Sequence, residues 1–263
     1  MTALPLTLSF IFGIICGSFL NVVALRFNTG VGLKGRSKCM SCGKSLTWKE
    51  LVPIFSFMMQ GGVCKKCKSK ISWQYPLVEI ISGIIFFLIF LKFPPVSLLE
   101  GTITLIQMIS ACLLMVIAVY DIKHKIIPNN LVYIFSILSL AILFTGGISW
   151  WHIPSYGALL AGPLLALPFA LLWLISRGIW MGLGDAKLAL GIGWLLGIEG
   201  GINAMILSFW IAAALSLIWM FCFYKKFKAR VEVPFGPYMI LGLYLVLLFG
   251  IKIMDISIIK ELL

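Results

Sequence analysis

Long, unbroken apolar runs joined by short polar connections dominate the chain. Eight can be read, with soft ends: Leu4–Leu25, Leu77–Phe93, Thr102–Tyr120, Asn130–Phe144, Pro154–Ser176, Asp185–Ile198, Ile202–Tyr224 and Phe235–Met254. A helix needs about 20 apolar residues to cross roughly 30 Å of hydrocarbon. The runs at Asn130–Phe144 and Asp185–Ile198 are shorter, and a short run is accommodated by little tilt or a locally thinned bilayer. The pattern predicts an all-α polytopic membrane protein of about eight transmembrane helices. Composition agrees, because 61% of the 263 residues are hydrophobic and only 11% are charged. A soluble domain cannot hide that much apolar surface.

Charge sets the orientation. With the N-terminus outside, the segments left in the cytoplasm carry 18 of the 21 Lys and Arg residues. Ten of them, Arg26 to Lys70, lie in the first loop, and only Lys92, Lys252 and Lys260 fall on the other side. The positive-inside rule therefore places both termini outside. The net charge of +12 reports this orientation and an attraction of the first loop to anionic lipid, and does not call for nucleic acid. No basic residue precedes the first run, so it reads as an uncleaved span and not as a signal peptide. Trp150, Trp151 and His152, between the fourth and fifth runs, fit an outer interfacial belt.

The sizeable polar segment, 26–76, separates a first helix, 1–25, from a membrane core, 77–263. It holds two C-x-x-C pairs, Cys39/Cys42 and Cys64/Cys67, with 21 residues between them. Paired knuckles at this spacing predict a four-thiolate zinc site. The alternatives are a redox pair or unrelated free thiols; a reducing cytoplasm disfavours disulfides and keeps thiolates available. Four protein ligands leave no position for water, so the metal reads as structural, stapling a loop with few large apolar residues. Cys16, Cys112 and Cys222 fall in apolar runs and read as small core or lipid-facing residues.

Two carboxylates sit where a membrane protein tolerates them least. Asp121 closes one apolar run and Asp185 opens another, in Gly182-Leu183-Gly184-Asp185. A carboxylate at that depth costs several kcal/mol unless it pairs or faces water, which makes it a functional candidate. The charge distribution places both at cytoplasmic ends. Paired carboxylates share a proton at neutral pH, so one can take a proton from water while the other protonates a scissile carbonyl or leaving amine. The glycines before Asp185 would let a backbone approach closely, for substrate or for helix packing. The plainer reading is two separate ion pairs, Asp121 with Lys123 or Lys125 and Asp185 with Lys187. Lys187 is two residues past Asp185 and would point elsewhere on a helix, toward headgroups or a substrate. His124 lies in a basic turn and reads as solvated.

Six segments resemble, in order, the type IV prepilin peptidases, GxGD-type intramembrane aspartyl proteases: Gly17 to Arg26, the two C-x-x-C pairs, Ile71 to Glu79, Asp121 to Asn129, Gly182 to Leu188 and Pro234 to Gly242. The resemblance implies an enzyme that cuts the basic leader from prepilins or pseudopilins after a glycine, at the cytoplasmic face of the inner membrane. It further implies N-methylation of the new terminus with S-adenosylmethionine. The catalytic pair would be Asp121, in D-x6-P-N, and Asp185, in GxGD, supported by Gly182, Gly184 and Lys187. Met40, Leu51 and Gln60 stand where the family commonly has proline, asparagine and arginine. These departures touch the loop that the family links to methylation, so proteolysis is the firmer implication. No Gly-rich βαβ unit marks a site for S-adenosylmethionine. A basic loop would not itself attract a basic leader, and Glu50, Glu79 or lipid headgroups are expected to offset it. An ion-coupled transporter would place its carboxylates near the midplane. A zinc-loop scaffold would leave the paired aspartates unexplained.

Overall fold

The computed structural model describes residues 3–30, 32, 35–145, 152–222 and 233–255. Lys34, Trp150, Trp151, Tyr224, Lys225, Lys226, Lys228, Arg230 and Lys260 of the sequence reading lie outside the described residues. The helices are α1 (Ala3–Arg26), α2 (Phe55–Met59), α3 (Gln74–Lys92), α4 (Leu98–His124), α5 (Asn129–Thr145), α6 (Tyr156–Ser176), α7 (Leu183–Cys222) and α8 (Gly236–Phe249). Among the described residues, β-structure is confined to two isolated bridges in the cysteine loop. Five helices are long and apolar enough to cross a membrane, while α5 and α8 are apolar but shorter. The chain is therefore an all-helical, multi-pass membrane protein.

Helix α7, at 40 residues, is longer than any one crossing needs. It breaks at Gly197, where φ is 70° and ψ is −179°, a conformation open essentially to glycine alone. The break leaves a short arm, 183–196, of about 21 Å and a long arm, 198–222, of about 37 Å at 1.5 Å per residue.

The ends of α4 are set locally. At its start the Ser97 hydroxyl accepts from the Glu100 amide (3.2 Å) while the Glu100 carboxylate accepts from the Ser97 amide (2.9 Å). This reciprocal box satisfies two orphan donors. At its end Lys125 turns left-handed (φ 54°), and its N–H donates to the Asp121 carbonyl (2.7 Å). Asp121 thus belongs to the last turn of α4 and does not hang beyond it. Asp185 likewise lies within the first turn of α7.

Small residues let the helices meet backbone to backbone, which favours association where lipid offers no hydrophobic driving force. A Cβ on Gly193 of α7 would lie 2.6 Å from the Ala161 carbonyl and 2.7 Å from Gly162 Cα of α6. Neither neighbour is a flexible side-chain tip. Gly193→Ala is therefore expected to destabilise the fold by about 1–3 kcal/mol, the usual range for overpacking. Thermal unfolding of the purified protein in detergent reads this out, and an unchanged midpoint would show that α6 and α7 are not in close register. Gly242 of α8 approaches the Ala204 carbonyl and the Ser208 hydroxyl of α7 in the same way. Around these contacts Phe135, Leu188, Ile192, Met239 and Leu243 are fully buried, joining α5, α7 and α8. Leu160, Leu164, Leu167 and Leu171 of α6 face outward, as lipid contact requires.

Candidate functional site

Three stretches far apart in sequence converge on Asp121. The Lys125 turn reverses the chain, buries Ile127 and Pro128, and starts α5 at Asn129. Helix α8 begins at Gly236, and Phe235 before it supplies no side-chain cap. The Asp121 carboxylate fills that role, with Oδ2 accepting from the Gly236 amide at 3.1 Å. An acid at a helix N-terminus satisfies an orphan N–H and lies at the positive end of the helix dipole. The glycine is required by space, since a Cβ there would lie 2.7 Å from Asp121 Oδ2 and 3.2 Å from Ile127 Cδ1.

Ile127 carries the same site across to α7. A Cβ on Gly184 would lie 2.8 Å from Ile127 Cβ, so Gly184 serves close packing of α7 on the α4–α5 turn. Of the two roles offered by the sequence, packing is the one seen for Gly184. Gly182 is more open, its absent Cβ lying 3.7 Å from Asp185 Oδ2. Its carbonyl accepts from the Asp185 amide (3.2 Å) and turns the chain into the helix.

Asp121 is 4% exposed and Asp185 is 8% exposed. Gly184, next to Asp185, and Gly236, which donates to Asp121, both pack against Ile127. Among the described residues, no ion pair joins either aspartate to a lysine. The Lys187 ammonium turns to Asn129 Oδ1 (2.8 Å) and lies 5.2 Å above the Tyr133 ring, tying α7 to α5. Lys125 meets Asp121 through the backbone bond that closes α4. His124 is exposed and stacks on Tyr120, with ring centroids 4.4 Å apart. Gly236, Ile127 and Asn129 lie inside the motifs, but the sequence alone assigns them no role. The available signal was the glycine of Pro234-Phe235-Gly236-Pro237, since proline in a first turn marks a helix start.

In the loop, the sulfurs of Cys39, Cys42, Cys64 and Cys67 all lie within 4.8 Å of one another, and Cys39 Sγ is 3.8 Å from Cys67 Sγ. Four thiolates each about 2.3 Å from one tetrahedral ion sit at such separations, so the donor set suits zinc. The two pairs sit on matching knuckles. In the first, Gly43 N–H donates to the Cys39 carbonyl and Cys39 N–H to the Lys44 carbonyl. In the second, Lys68 N–H donates to Cys64 and Cys64 N–H to Ser69, every bond being 2.9 Å. Gly43 (φ 67°) and Lys68 (φ 59°) make the same left-handed turn. Backbone amides of Cys42 and Ser41 pull the Cys39 thiol down to about 6, toward the thiolate a metal needs. The Ser69 hydroxyl and amide lower Cys67 in the same sense.

The two acids expected to receive a basic leader are already engaged. Glu50 bonds the Lys44 ammonium (2.8 Å) and the Thr47 amide (2.9 Å). Lys44 in particular holds its carboxyl down at about 2. Glu79 accepts from the Ile54 amide (2.7 Å).

Comparison with known proteins adds to this geometry. Residues 11–93 match the family described as Bacterial Peptidase A24 N-terminal domain, and residues 108–217 match the Type IV leader peptidase family. The cysteine loop falls in the first match and both aspartates in the second. A Bacillus subtilis protein named prepilin leader peptidase/N-methyltransferase is 32% identical over 95% of this chain and 96% of its own. Proteins of the same name from Vibrio cholerae (29%, covering 93% and 96%) and Xanthomonas campestris (27%, covering 92% and 91%) are also similar. No solved structure matches.

Proposed function

The chain belongs to the type IV leader peptidase family, and we propose from that premise that it removes the leader of prepilins or pseudopilins and N-methylates the new terminus. The observation that carries this reading is the buried pair Asp121 and Asp185, drawn together around Ile127. Oδ2 of Asp121 is engaged by Gly236, which leaves Oδ1 toward the reacting water. The ionised aspartate takes a proton from that water, and the resulting hydroxide attacks the scissile carbonyl carbon. The protonated partner donates to the carbonyl oxygen; the C–N bond then breaks as the first aspartate passes its proton to the leaving amine and the partner takes one back from a hydroxyl of the tetrahedral intermediate, which restores the pair. Gly182, Gly184 and Lys187 support this centre by shaping and tying down the start of α7.

The two arms of α7 read as two crossings, giving eight in all, with both termini outside. The parts are a first helix (1–25), a cytoplasmic loop domain (26–76) and a protease core (77–263). In this orientation the aspartates lie toward the cytoplasmic face, where a prepilin's leader meets its apolar helix. With Glu50 and Glu79 engaged, lipid headgroups are left to offset the basic leader. Cys39, Cys42, Cys64 and Cys67 would hold a structural zinc ion that staples the loop. Methylation of the freed amine draws its methyl group from S-adenosylmethionine.

The test is reconstitution. Purified protein in lipid vesicles, given a prepilin and S-adenosylmethionine, is expected to yield a pilin shortened at its leader glycine. Mass analysis should show the new terminus one methyl group heavier. An uncut prepilin would overturn the reading, and a cut but unmethylated one would confine it to proteolysis.

A further inference from the structure

Glu79 of α3 is a buried carboxylate (6% exposed) that neither the aspartate pair nor the cysteine cluster uses. Its Oε2 accepts the Ile54 amide of the loop at 2.7 Å. Helix α1 reaches it because Gly17 has no side chain, a Cβ there lying 2.8 Å from Glu79 Cα. One turn away, fully buried Asn21 donates to the Tyr75 carbonyl (3.2 Å) and accepts from the Gln74 side-chain Nε2 (3.2 Å). The start of α3 is thus locked to α1, and Glu79 is its contact with the loop.

The loop side of that contact is unusual. Ile54 has φ 60° and ψ −54°, the rare classic γ-turn, closed by the Phe55 amide on the Pro53 carbonyl (2.5 Å). A β-branched residue at positive φ is a true outlier, held only where its surroundings dictate it. Here Pro53 precedes it, α2 follows it, and its N–H is aimed at Glu79. The contact is also relayed to the helix of Asp121. Val78, beside Glu79, packs in one cluster with Leu20 and Ala24 of α1 and Val116 and Val119 of α4. Val119 is two residues from Asp121.

We infer that Glu79 is a positioning residue that latches the cysteine-bearing loop, through Ile54, in register with the helix of the cleavage site. The inference rests on the proposed function for what the loop acts upon. The two aspartates fall in the match at 108–217, whereas the loop and its latch fall in the match at 11–93. Within the proposed function, where the aspartates cut, a loop held in register by this latch sets how the freed terminus is presented for methylation.

Full-length protein in detergent, with zinc, tests this in three forms. Glu79→Ala removes the acceptor, whereas Glu79→Gln keeps an acceptor oxygen at the same length. Loss of a hydrogen bond to a charged group is expected to speed amide exchange in the segment around Ile54 by about tenfold or more. In the same Glu79→Ala protein, the methylated share of cleaved termini should fall while cleavage kcat and zinc content hold. Glu79→Gln should restore both exchange and methylation. Should Glu79→Ala fail to fold, Glu79→Met, which keeps the side chain's length without an accepting carboxylate, replaces it. Unchanged exchange, parallel loss of cleavage and methylation, or no rescue by Glu79→Gln would each overturn the latch. If wild-type protein cuts no prepilin, the proposed function fails while the exchange measurement still decides the latch.

Discussion

Asp121→Asn and Asp185→Asn are each expected to lower prepilin cleavage by about 10²–10⁴-fold, the range that positioned acid–base groups supply. Asparagine preserves shape but cannot exchange a proton with water. At position 121 it also keeps an oxygen that can accept from the Gly236 amide, so the start of α8 stays capped. An Asp121→Ala change would lose the cap as well as the proton carrier, and would confuse chemistry with folding. For two carboxyls working as one unit, the double substitution should cost little more than either single one. The measurement is cleavage of a prepilin by each variant in vesicles, alongside its thermal midpoint. Wild-type cleavage by either asparagine variant would rule out a two-aspartate mechanism. Multiplying losses in the double variant would mean that the aspartates serve separate steps.

Removal of one loop thiolate should have the largest structural effect. Structural zinc contributes about 10–16 kcal/mol to the folding of zinc-finger peptides, so a loop stapled this way loses its fold with its metal. Cys39→Ser removes a sulfur that lies 3.8 Å from Cys67 Sγ and whose neighbouring amides already favour the thiolate. The purified variant is expected to lose bound zinc and to become protease-sensitive between the two knuckles. A chelator should do the same to the wild-type protein. Unchanged zinc content in Cys39→Ser would sink the four-thiolate site.

Much of this was legible in the chain because the governing forces are local or compositional. An apolar run of membrane length has few other fates, and α1, α3 and α6 follow their runs closely. Lys and Arg placement gives an orientation without any contact being known. The C-x-x-C spacing marks a knuckle, and Asp121 and Asp185 stand out because charge is costly beside hydrocarbon. The break in α7 was also legible, since the runs Asp185–Ile198 and Ile202–Tyr224 part at Glu199-Gly200-Gly201, although the residue that turns is Gly197, just before that gap.

Tertiary structure decided the partners. Asp121 caps a helix 115 residues away, and Lys187 turns to an asparagine 58 residues away instead of its neighbouring aspartate. Glu79 and Glu50 look equally available to a basic ligand in the sequence, yet packing engages both, one with a strained turn and one with a lysine. Span and charge patterns are sums over many residues and survive without detail. A hydrogen bond needs two atoms within about 3 Å, and that precision arises only when Gly17, Gly184, Gly193 and Gly236 let distant backbones close.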